Sequence, residues 1–510
     1  MRLLLISLQE IPDVLGLKGL HYYLRAQGID SHLLLLPRFD AGDERGRACL
    51  GRFVEEHRPG LVGVGLMSVE YRRARALTRT LRELGCVAPV VWGGIHPTLD
   101  PEPCLADADY VCVGEGERCL LERIEHLEHR RPLRAVSNLA YCDEDGVQRN
   151  PLAPLITELD SLPSYEHVPV STSLQERSGR IVDYDRRVHR RWSRYRGTIY
   201  NIVGTRGCPY ACTYCCNNYL GQLYQTRRVR RRSAAHILAE LERALGDHPE
   251  LQYVNFQDDS FLSQSDEALE RFCAGYRRRV GRPFIVRAQP SSVTQRKLTA
   301  LTDAGLAWIS MGLQSGSDRV NREIFGRRVP RETFLRVARQ IHQHGLAAFY
   351  DVILDNPFET DEDRLETVQT LARIPRPFYT QLFSLTFYPG TELHARAARE
   401  HPERMGELLD KNYHAYQPTP LNELTRLATV LSPGQIEHLV RLYREQPGST
   451  HFRLALAGAR VSARVLLEPI TAFHVIRRSQ GGDAARALRV LPNYLEEGLR
   501  RTLDSLRGGA

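Results

Sequence analysis

Four cysteines fall within nine residues of this chain, at Cys208, Cys212, Cys215 and Cys216. The first three have the spacing Cys-x3-Cys-x2-Cys, and three thiolates so close in sequence can hold three corners of a cubane iron-sulfur cluster. A 4Fe-4S cluster has four irons, so three protein ligands leave one iron free to bind a small molecule, whereas electron-carrier clusters normally have four cysteine ligands. The spacing therefore predicts a cluster that takes part in chemistry.

A structural zinc site is the alternative for these cysteines. Such sites usually combine one Cys-x2-Cys pair with a second pair or with histidines, and the sequence offers no partner pair. Cys216 could be a fourth ligand, but adjacent thiolates do not easily reach two corners of one cube. The other seven cysteines lie mostly in apolar stretches, where cysteine is commonly a small buried hydrophobe; they are Cys49, Cys86, Cys104, Cys112, Cys119, Cys142 and Cys273.

Length and composition limit what surrounds the cluster. The 510 residues are too many for one ordinary domain, and the net charge of +8 is a mild excess for a chain of this length. The start of the chain is interrupted by Gln9, Glu10 and Pro12, too early for a signal peptide, and no stretch of about 18 apolar residues could span a membrane. We expect a cytoplasmic protein with reduced thiols.

Residues 1 to 130 alternate short apolar runs with amphipathic segments, which is typical of a parallel sheet with helices on both faces. Each run is nearly continuous in apolar residues, as expected for strands that are covered on both faces. We predict a doubly wound, Rossmann-like α/β domain with the strands Leu3–Ile6, His32–Leu36, Leu61–Leu66, Val90–Trp92 and Tyr110–Val113.

Ligands of such sheets bind beyond the carboxyl ends of the strands. The residues after the third, fourth and fifth strands are rich in glycine, which lets the backbone approach a large ligand closely. A dinucleotide is disfavoured, because no Gly-x-Gly-x-x-Gly follows the first strand. The candidate binding residues are Ser68, Val69, Gly93, Gly94, Ile95, His96, Gly114, Glu115 and Gly116.

The cysteines follow another strand, Tyr200–Val203, after which strands and helices repeat. Six strands with crossovers predict a partial (β/α)6 barrel of the TIM type, whose site should lie at the carboxyl ends of the strands. The later strands are Tyr253–Gln257, Phe284–Ala288, Trp308–Leu313, Ala347–Leu354 and Phe378–Phe387. Polar residues stand at the expected rim: Asp258, Asp259, Gln289, Gln314, Ser315, Gly316, Ser317, Asp355 and Asn356.

With these motifs the chain resembles the radical S-adenosylmethionine (SAM) superfamily, and specifically its cobalamin-binding, methyltransferase-like class, over about residues 1 to 395. The resemblance implies that Cys208, Cys212 and Cys215 hold a 4Fe-4S cluster whose free iron binds SAM, and that the reduced cluster cleaves SAM to a 5'-deoxyadenosyl radical. It also implies a set of SAM-binding residues: Tyr214, Asp258, Asp259, Gln314, Ser315, Gly316 and Ser317. Asp355 and Asn356 depart from the glycine-rich run that members often carry after the fifth strand.

The same resemblance implies that the first domain binds cobalamin through the three glycine-rich loops. The Asp-x-His-x-x-Gly motif, whose histidine binds cobalt in many other corrinoid proteins, is missing. Asp30-Ser-His32 is followed by leucine and enters a strand, so we expect His32 to be a strand residue. His96 lies in a ligand loop, but we do not assign it as a cobalt ligand.

These patterns divide the chain into a cobalamin-binding domain over residues 1–135, a linker over 136–197, the barrel over 198–395 and a helical domain over 396–510. We expect the helical domain to cap the barrel and help close the substrate pocket. A basic run at residues 186–196 is interpreted as a solvated face, with a phosphate or carboxylate contact as the alternative. A second run at residues 227–232 has no aromatic platform, so a solvated face is favoured over a nucleic-acid contact.

The resemblance implies a cobalamin-dependent methyltransferase that acts on an unactivated carbon of a small or lipid-like molecule, with flavodoxin or ferredoxin as electron donor. A related enzyme that uses cobalamin for cyclisation, ring contraction or oxidation remains open. A tRNA methylthiotransferase is disfavoured by the scattered N-terminal cysteines and the helical tail. From another class, a non-catalytic corrinoid or iron-sulfur sensor remains an alternative, and SAM cleavage would distinguish it from an enzyme.

Overall fold

The computed structural model describes residues 1–129, 132–407 and 413–488. The chain forms two compact units, each assembled from three segments. Unit 1 contains Met1–Asn201, Cys215–Leu251 and Phe387–Lys411, and unit 2 contains Ile202–Tyr214, Gln252–Thr386 and Asn412–Ala510. Of the helical domain that the sequence suggests over 396–510, residues 408–412 and 489–510 lie outside the described residues.

Unit 1 is built on a nine-stranded sheet of order β7-β6-β5-β4-β3-β1-β2-β8-β9. Its strands are β1 Arg2–Ser7, β2 Asp30–Leu35, β3 Leu61–Gly65, β4 Val90–Gly93, β5 Tyr110–Cys112, β6 Leu139–Asp143, β7 Gly146–Arg149, β8 Thr172–Gln175 and β9 Ile181–Asp183. The helices are α1 Leu15–Ala26, α2 Glu44–His57, α3 Tyr71–Glu83, α4 Ile95–Leu99, α5 Pro101–Cys104, α6 Gly116–His129 and α7 Arg186–Trp192.

The five predicted strands of the first domain are confirmed, and their pairing is parallel. Alternate residues of a strand enter different cores: Leu4 and Ile6 pack in one cluster, whereas Leu3 and Leu5 pack in another. Both faces of the sheet are therefore covered by helices, which explains the nearly continuous apolar runs. The strand order reverses between β1 and β3, and ligands of doubly wound sheets bind at such a switch point.

The interval that the sequence suggests as a linker, residues 136–197, contains β6 to β9, and these strands extend the sheet at both edges. The pairs β5–β6, β6–β7 and β8–β9 are antiparallel. Most residues of β7 and β9 are not buried, so these strands show no continuous apolar run. An edge strand exposed in this way gives little periodicity in the sequence.

The rest of the chain follows in order, with β10 Ile199–Ile202, β11 Thr205–Arg206, α8 Cys216–Leu223, β12 Arg230–Arg231, α9 Ala234–Asp247, β13 Tyr253–Phe256, α10 Asp266–Arg279, β14 Phe284–Ala288, α11 Gln295–Asp303, β15 Leu306–Gln314, α12 Arg331–Gln343, β16 Ala347–Leu354, α13 Asp361–Ala372, β17 Tyr379–Ser384, α14 Glu392–Glu400, α15 Pro420–Leu427, α16 Pro433–Glu445, α17 Thr450–Ser462 and α18 Glu468–Ser479. Side-chain caps begin many of these helices; Ser233, for example, accepts from His236 N at the start of α9.

The predicted partial barrel is confirmed as a six-stranded sheet of order β10-β13-β14-β15-β16-β17. From β13 to β17 each strand pairs in parallel with its neighbour in the chain. Helices α10 to α13 alternate with these strands, as a (β/α) barrel requires. The carboxyl ends of the strands therefore lie at one rim.

The last helix of the tail, α18, lies at the amino end of the barrel. In α18, Arg478 contacts His342 at the end of α12, and the residue after α18, Gln480, bonds the hydroxyl of Tyr253 at the start of β13. Both partners stand at the amino ends of barrel strands. Helix α18 therefore covers the floor of the barrel. The segment before α15 contacts Asp355 at the other rim, where sites of such barrels lie.

Candidate functional site

The loop that carries Cys208 and Cys212 begins after β10 and is fixed by Asp258. Gly204 N donates to both carboxylate oxygens of Asp258, at 3.0 and 3.1 Å. Asp258 is 1% exposed, and burial raises the pKa of its carboxyl group. Asp259, in contrast, is exposed. Both carboxylates were predicted to bind SAM. Asp258 instead fixes the cysteine loop, and of the two only Asp259 is exposed to solvent.

A second support of the cysteine loop comes from the residues after β15 and was missed in the sequence. Thr213 N donates to Phe325 O at 3.1 Å, and the ring of Tyr214 meets that of Phe325 edge-on, with centroids 5.1 Å apart. Gly326 has a φ of +65°, and a Cβ there would lie 2.9 Å from Ala211 O. A side chain at position 326 would therefore disturb the loop. The clue in the sequence was an isolated glycine between helical segments.

Cys215 is the N-cap residue of α8, and Cys216 is the first residue of that helix. Helix α8 is fixed within unit 1: Asn218 Nδ2 and Gln222 Nε2 both donate to Glu392 Oε1, at 2.9 and 2.7 Å. A Cβ on Gly390 would lie 3.0 Å from the ring of Tyr219. The position of the third thiol thus depends on α14, which begins 177 residues later in the chain, at Glu392.

Three thiols suit an iron-sulfur cluster by their chemistry, since each binds a different iron of the cubane. In the part of the chain that the structure describes, no three His, Cys, Asp or Glu side chains could hold a single metal ion together. This finding does not bear on a cubane, because its ligands need not converge on one atom. Cys208 and Cys215 are partly exposed, and Cys212 is 8% exposed.

The predicted cobalamin loops come together at the carboxyl edge of the first sheet. Ser68 Oγ lies 3.1 Å from His96 Nδ1, which joins the loops after β3 and β4. Thr98 joins the loops after β4 and β5, because its hydroxyl donates to Gly94 O and accepts from Gly114 N. Gly93, Val69, Ile95 and Gly116 lie in the same three loops. The residues predicted from the sequence therefore lie in three loops that hydrogen bonds connect at one edge of the sheet.

His96 is the feature of this edge that fits a further ligand. It is 1% exposed, burial lowers its pKa to about 4, and its Nε2 atom has no hydrogen-bond partner among the described residues. Such an orphaned polar atom is uncommon in a folded protein. A neutral imidazole held by Ser68 and by the ring of Tyr71, 4.6 Å away, is consistent with a large polar cofactor at these loops.

Gly114 and Glu115 are in contact with other residues of unit 1. The hydroxyl of Tyr224 lies 1.8 Å from the place where a Cβ of Gly114 would be, and it accepts a hydrogen bond from Glu115 N at 3.1 Å. The Glu115 carboxylate pairs with Arg230 at 2.8 Å and accepts from Ile156 N at 3.0 Å. These contacts leave the loop after β5 covered by unit 1's own side chains.

The basic run at residues 227–232 is only partly the solvated face that the sequence suggested: Arg227 and Arg228 are exposed, but Arg230 and Arg232 are not. The side chains of Arg230 and Arg232 are each 9% exposed, and they pair with Glu115 and with the buried Glu240. Arg227 donates to Asn218 Oδ1 at 2.8 Å. The partners stand far away in the sequence or on the next helix, so the charge run alone could not reveal them.

The motif after β15 is anchored to α13. Gly316 N donates to Thr367 Oγ1 at 2.7 Å, and Ser317 Oγ donates to Asp363 Oδ1 at 2.7 Å. Ser315 is 0% exposed and a Cβ on Gly316 would lie 2.4 Å from Thr367 Cα. Gln314, with a φ of +66°, is only partly buried. Gln314 is therefore the member of this motif whose side chain can reach a ligand.

Asp355, a departure from the family pattern, ties the rim to the segment that leads into α15. Its carboxylate accepts from Ser384 Oγ, from Gln417 N at 3.1 Å and from Asn422 Nδ2 at 2.8 Å. Asn356 is 0% exposed, and its Oδ1 accepts from Phe358 N at 3.1 Å. The structure thus accounts for Asp355, whereas the buried Nδ2 atom of Asn356 has no hydrogen-bond partner among the described residues.

Two family models match the chain. The B12 binding domain matches residues 1–123, and the Radical SAM superfamily matches residues 202–371. The first match spans β1 to β5 with the glycine-rich loops, and the second spans the cysteine loop and β13 to β16. Among the described residues, no helix is long and apolar enough to cross a membrane.

Two curated proteins share similarity over much of the chain. An uncharacterized methyltransferase, PH0819, of Pyrococcus horikoshii is 23% identical over 353 residues, which is 68% of this chain and 70% of that protein. The cytidylyl-2-hydroxyethylphosphonate methyltransferase of Streptomyces wedmorensis is 26% identical over 353 residues, 63% of this chain and 62% of that protein. Both names describe methyl transfer.

A solved structure has the same fold. The radical SAM methyltransferase TsrM of Kitasatospora setae, with cobalamin and a 4Fe-4S cluster bound, superposes with a TM-score of 0.62 at 20% identity. The match covers 78% of this chain and 75% of that one. At this identity the likeness concerns the fold.

Proposed function

This protein is a cobalamin-binding radical SAM enzyme, and from that premise we propose that it transfers a methyl group to an unactivated carbon of a small-molecule or lipid-like substrate. The observation that carries the proposal is that one chain contains both a barrel rim with the cysteine loop and a sheet edge with a buried imidazole nitrogen that has no hydrogen-bond partner among the described residues. When bound, the 4Fe-4S cluster, SAM and cobalamin supply hydrogen-atom abstraction and methyl donation.

The protein's own residues hold and orient these groups. Cys208, Cys212 and Cys215 would be the cluster ligands, and Asp258 fixes the start of their loop through Gly204 N. Tyr214 is held by Phe325, so its backbone has a defined place beside the cluster loop. No general base is required, because the cofactors carry the bond-breaking steps and the protein excludes water and sets distances.

SAM would be bound at the barrel rim by Tyr214, Asp259 and Gln314, with Asp258, Ser315, Gly316 and Ser317 fixing the backbone around it. Cobalamin would be bound mainly by the loops after β3 and β4, because Tyr224 covers Gly114 in the loop after β5. The burial of Arg230 and Arg232 removes the main feature that a nucleic-acid substrate could have used. We propose a cytoplasmic enzyme that receives electrons from flavodoxin or ferredoxin.

The test is an anaerobic reaction of the reconstituted enzyme with SAM that carries a deuterated methyl group. Mass spectrometry should find the labelled methyl group on cobalamin in the absence of substrate, and on a product together with 5'-deoxyadenosine when a substrate is present. Formation of 5'-deoxyadenosine and product without label would instead establish the cyclising or oxidising alternative. A sensor would form no 5'-deoxyadenosine.

A further inference from the structure

Arg287 lies in the middle of β14, on the side of the sheet that faces the barrel interior. Its neighbours Phe284, Val286 and Ala288 are buried, and Phe284 packs against Tyr276 of α10 with ring centroids 4.8 Å apart. The outer face of β14 is therefore the face with Phe284. Because strand residues alternate between faces, Arg287 points to the interior.

Arg287 belongs to a polar layer that crosses four adjacent strands. It stands opposite Ser310 of β15 in the strand register, and Ser310 Oγ lies 3.3 Å from Asp351 Oδ2 on β16. Asp351 in turn stands opposite Gln381 of β17. The interior of this barrel is thus not filled by branched apolar side chains at this level, as ordinary barrel cores are.

Aromatic rings close the barrel beneath this layer. Trp308 stacks on Phe349 with centroids 4.7 Å apart, and Phe349 stacks on Tyr379 at 5.5 Å. Trp308 stands two residues before Ser310 on the same strand, so the rings lie on the amino side of the polar layer. A ligand group that reaches the layer must come from the carboxyl rim, where the cysteine loop begins.

The two arginines of this region differ in their partners. Arg327 is 5% exposed and donates to Gly312 O, Leu313 O and Gln289 Oε1, at 2.8 to 3.1 Å. Arg287 is exposed to the interior, and its guanidinium makes no hydrogen bond or ion pair with any described residue. The charge of Arg287 opposes the burial that raises the pKa of Asp351 to about 6.

A guanidinium has five N–H donors in a planar fork that matches carboxylates and phosphates. Inside a barrel such a group loses water when the site closes, so it needs an acceptor at that moment. The protein provides a serine and a shared carboxylate nearby but no acceptor in contact. An anionic group of a ligand would supply an acceptor in contact with Arg287.

We propose that Arg287 binds an anionic group of the methyl acceptor, a carboxylate, phosphate or phosphonate, and that Asp351 accepts a hydrogen bond from a hydroxyl or amine on the same molecule. This inference rests on the proposed function and narrows its substrate class to small molecules that carry an anionic group. Arg287 is then a specificity-determining residue within the barrel.

The experiment measures anion binding to the anaerobically reconstituted enzyme with cluster, cobalamin and saturating SAM. Inorganic phosphate and methylphosphonate are titrated, and their phosphorus NMR line widths report binding. We expect Arg287→Gln to weaken binding about tenfold or more and Arg287→Lys to weaken it less, because the lysine keeps the charge but loses the fork. Arg278→Gln, on the exposed face of α10, is the matched control and should bind as the parent enzyme does.

Equal binding by the parent enzyme and Arg287→Gln would overturn the inference. So would a loss of SAM affinity in Arg287→Gln with unchanged anion binding, since Arg287 would then serve the carboxylate of SAM. If the glutamine variant fails to fold, the lysine variant and its circular dichroism still decide the question. Failure of the proposed function would appear separately, as no transfer of labelled methyl from SAM to cobalamin in the parent enzyme.

Discussion

Arg230 Nη1 and Glu115 Oε1 form an ion pair of 2.8 Å with side chains that are 9% and 18% exposed. The pair joins the loop after β5 to β12, within unit 1. Arg230 also donates to Ile156 O at 2.7 Å. Loss of one member of such a pair leaves a largely buried charge without its ion-pair partner. The resulting loss of free energy of unfolding is larger than the net contribution of the intact pair.

We expect Arg230→Gln to lower the free energy of unfolding of unit 1 by about 3 kcal/mol. Arg228→Gln, in the same run but exposed, should change it by less than about 0.5 kcal/mol. Urea titration followed by circular dichroism measures both. The double variant Arg230→Gln, Glu115→Gln should recover part of the loss, and an equal loss in the Arg228 variant would count against the buried pair.

Gly114 and Tyr224 provide a test of a close approach. Gly114→Ala places a methyl group against the Tyr224 hydroxyl at a φ of +86°, whereas Gly28→Ala, at +81°, has no atom within 4 Å. Backbone strain alone should cost about 1 to 2 kcal/mol in the Gly28 variant, and the Gly114 variant should lose more. Thermal unfolding measures both. Adding Tyr224→Ala should rescue only the Gly114 variant, and failure of that rescue would contradict the contact.

The cysteines differ in their expected roles. Alanine at Cys208, Cys212 or Cys215 should each prevent assembly of a 4Fe-4S cluster, because two thiolates leave two irons without protein ligands. Cys216→Ala and the exposed Cys142→Ala should keep a full complement of iron and sulfide. Iron and sulfide analysis with low-temperature electron paramagnetic resonance measures this. A cluster that survives Cys215→Ala but not Cys216→Ala would reverse the assignment of the third ligand.

Asp355 should control the order of the segment before α15. Asp355→Ala leaves Gln417 N and Asn422 Nδ2 without their shared acceptor. We expect hydrogen exchange in residues 413–422 to become about tenfold faster or more, because each unmatched buried donor costs about 1 to 3 kcal/mol. Glu332→Ala, which removes only an exposed ion pair with Arg373, is the control. Unchanged exchange in the Asp355 variant would rule out this anchor.

Two buried histidines give unit 1 a dependence on pH. His167 Nε2 and His189 Nε2 lie 3.0 Å apart, and burial lowers the pKa of His167 from 6.5 to about 4 and that of His189 further. The unfolded chain therefore binds more protons between pH 6.5 and 4, so stability is complete above this window and falls as pH falls through it.

The measurement for this prediction is the urea midpoint at pH 7.5 and at pH 5. His189→Gln should shrink the difference between the two midpoints, because one of the buried histidines that bind a proton on unfolding is removed. His451→Gln, on an exposed position of α17, should leave the difference unchanged. A parent enzyme whose midpoint rises on acidification would contradict the sign of the effect.

The sequence revealed those parts of the fold that are buried on both faces or repeat in a regular order. Strands such as Leu61–Gly65 are apolar throughout because helices cover them on both sides, and the barrel followed from strand and helix alternation. Strands β7 and β9 stayed hidden, because edge strands with exposed residues resemble loops in sequence. The tail was recognised as helical, but nothing in its spacing indicated that α18 lies at the amino end of the barrel while the segment before α15 contacts the carboxyl rim.

At the site, residue types and spacing located the cysteines and the three loops of the sheet edge. Residue type and spacing could not distinguish the buried Asp258 from the exposed Asp259. What distinguishes them is a contact in the fold: the backbone N–H of Gly204 donates to Asp258. Phe325 and Gly326 support the cysteine loop from a distance of more than 100 residues in sequence. Any residue type can make contacts through its main-chain carbonyl oxygen, so such contacts cannot be recognised in the sequence.

The contacts of Gly204, Asp258 and Phe325 with the cysteine loop bear on how a damaged iron-sulfur cluster could be rebuilt. These contacts are made by the polypeptide alone, so the folded chain keeps much of the loop's shape when the inorganic core is lost. We expect damage by oxygen to be reversible: iron and sulfide delivered to the intact chain should restore it without refolding. The enzyme would then lose activity through loss of iron and sulfide before its polypeptide unfolds.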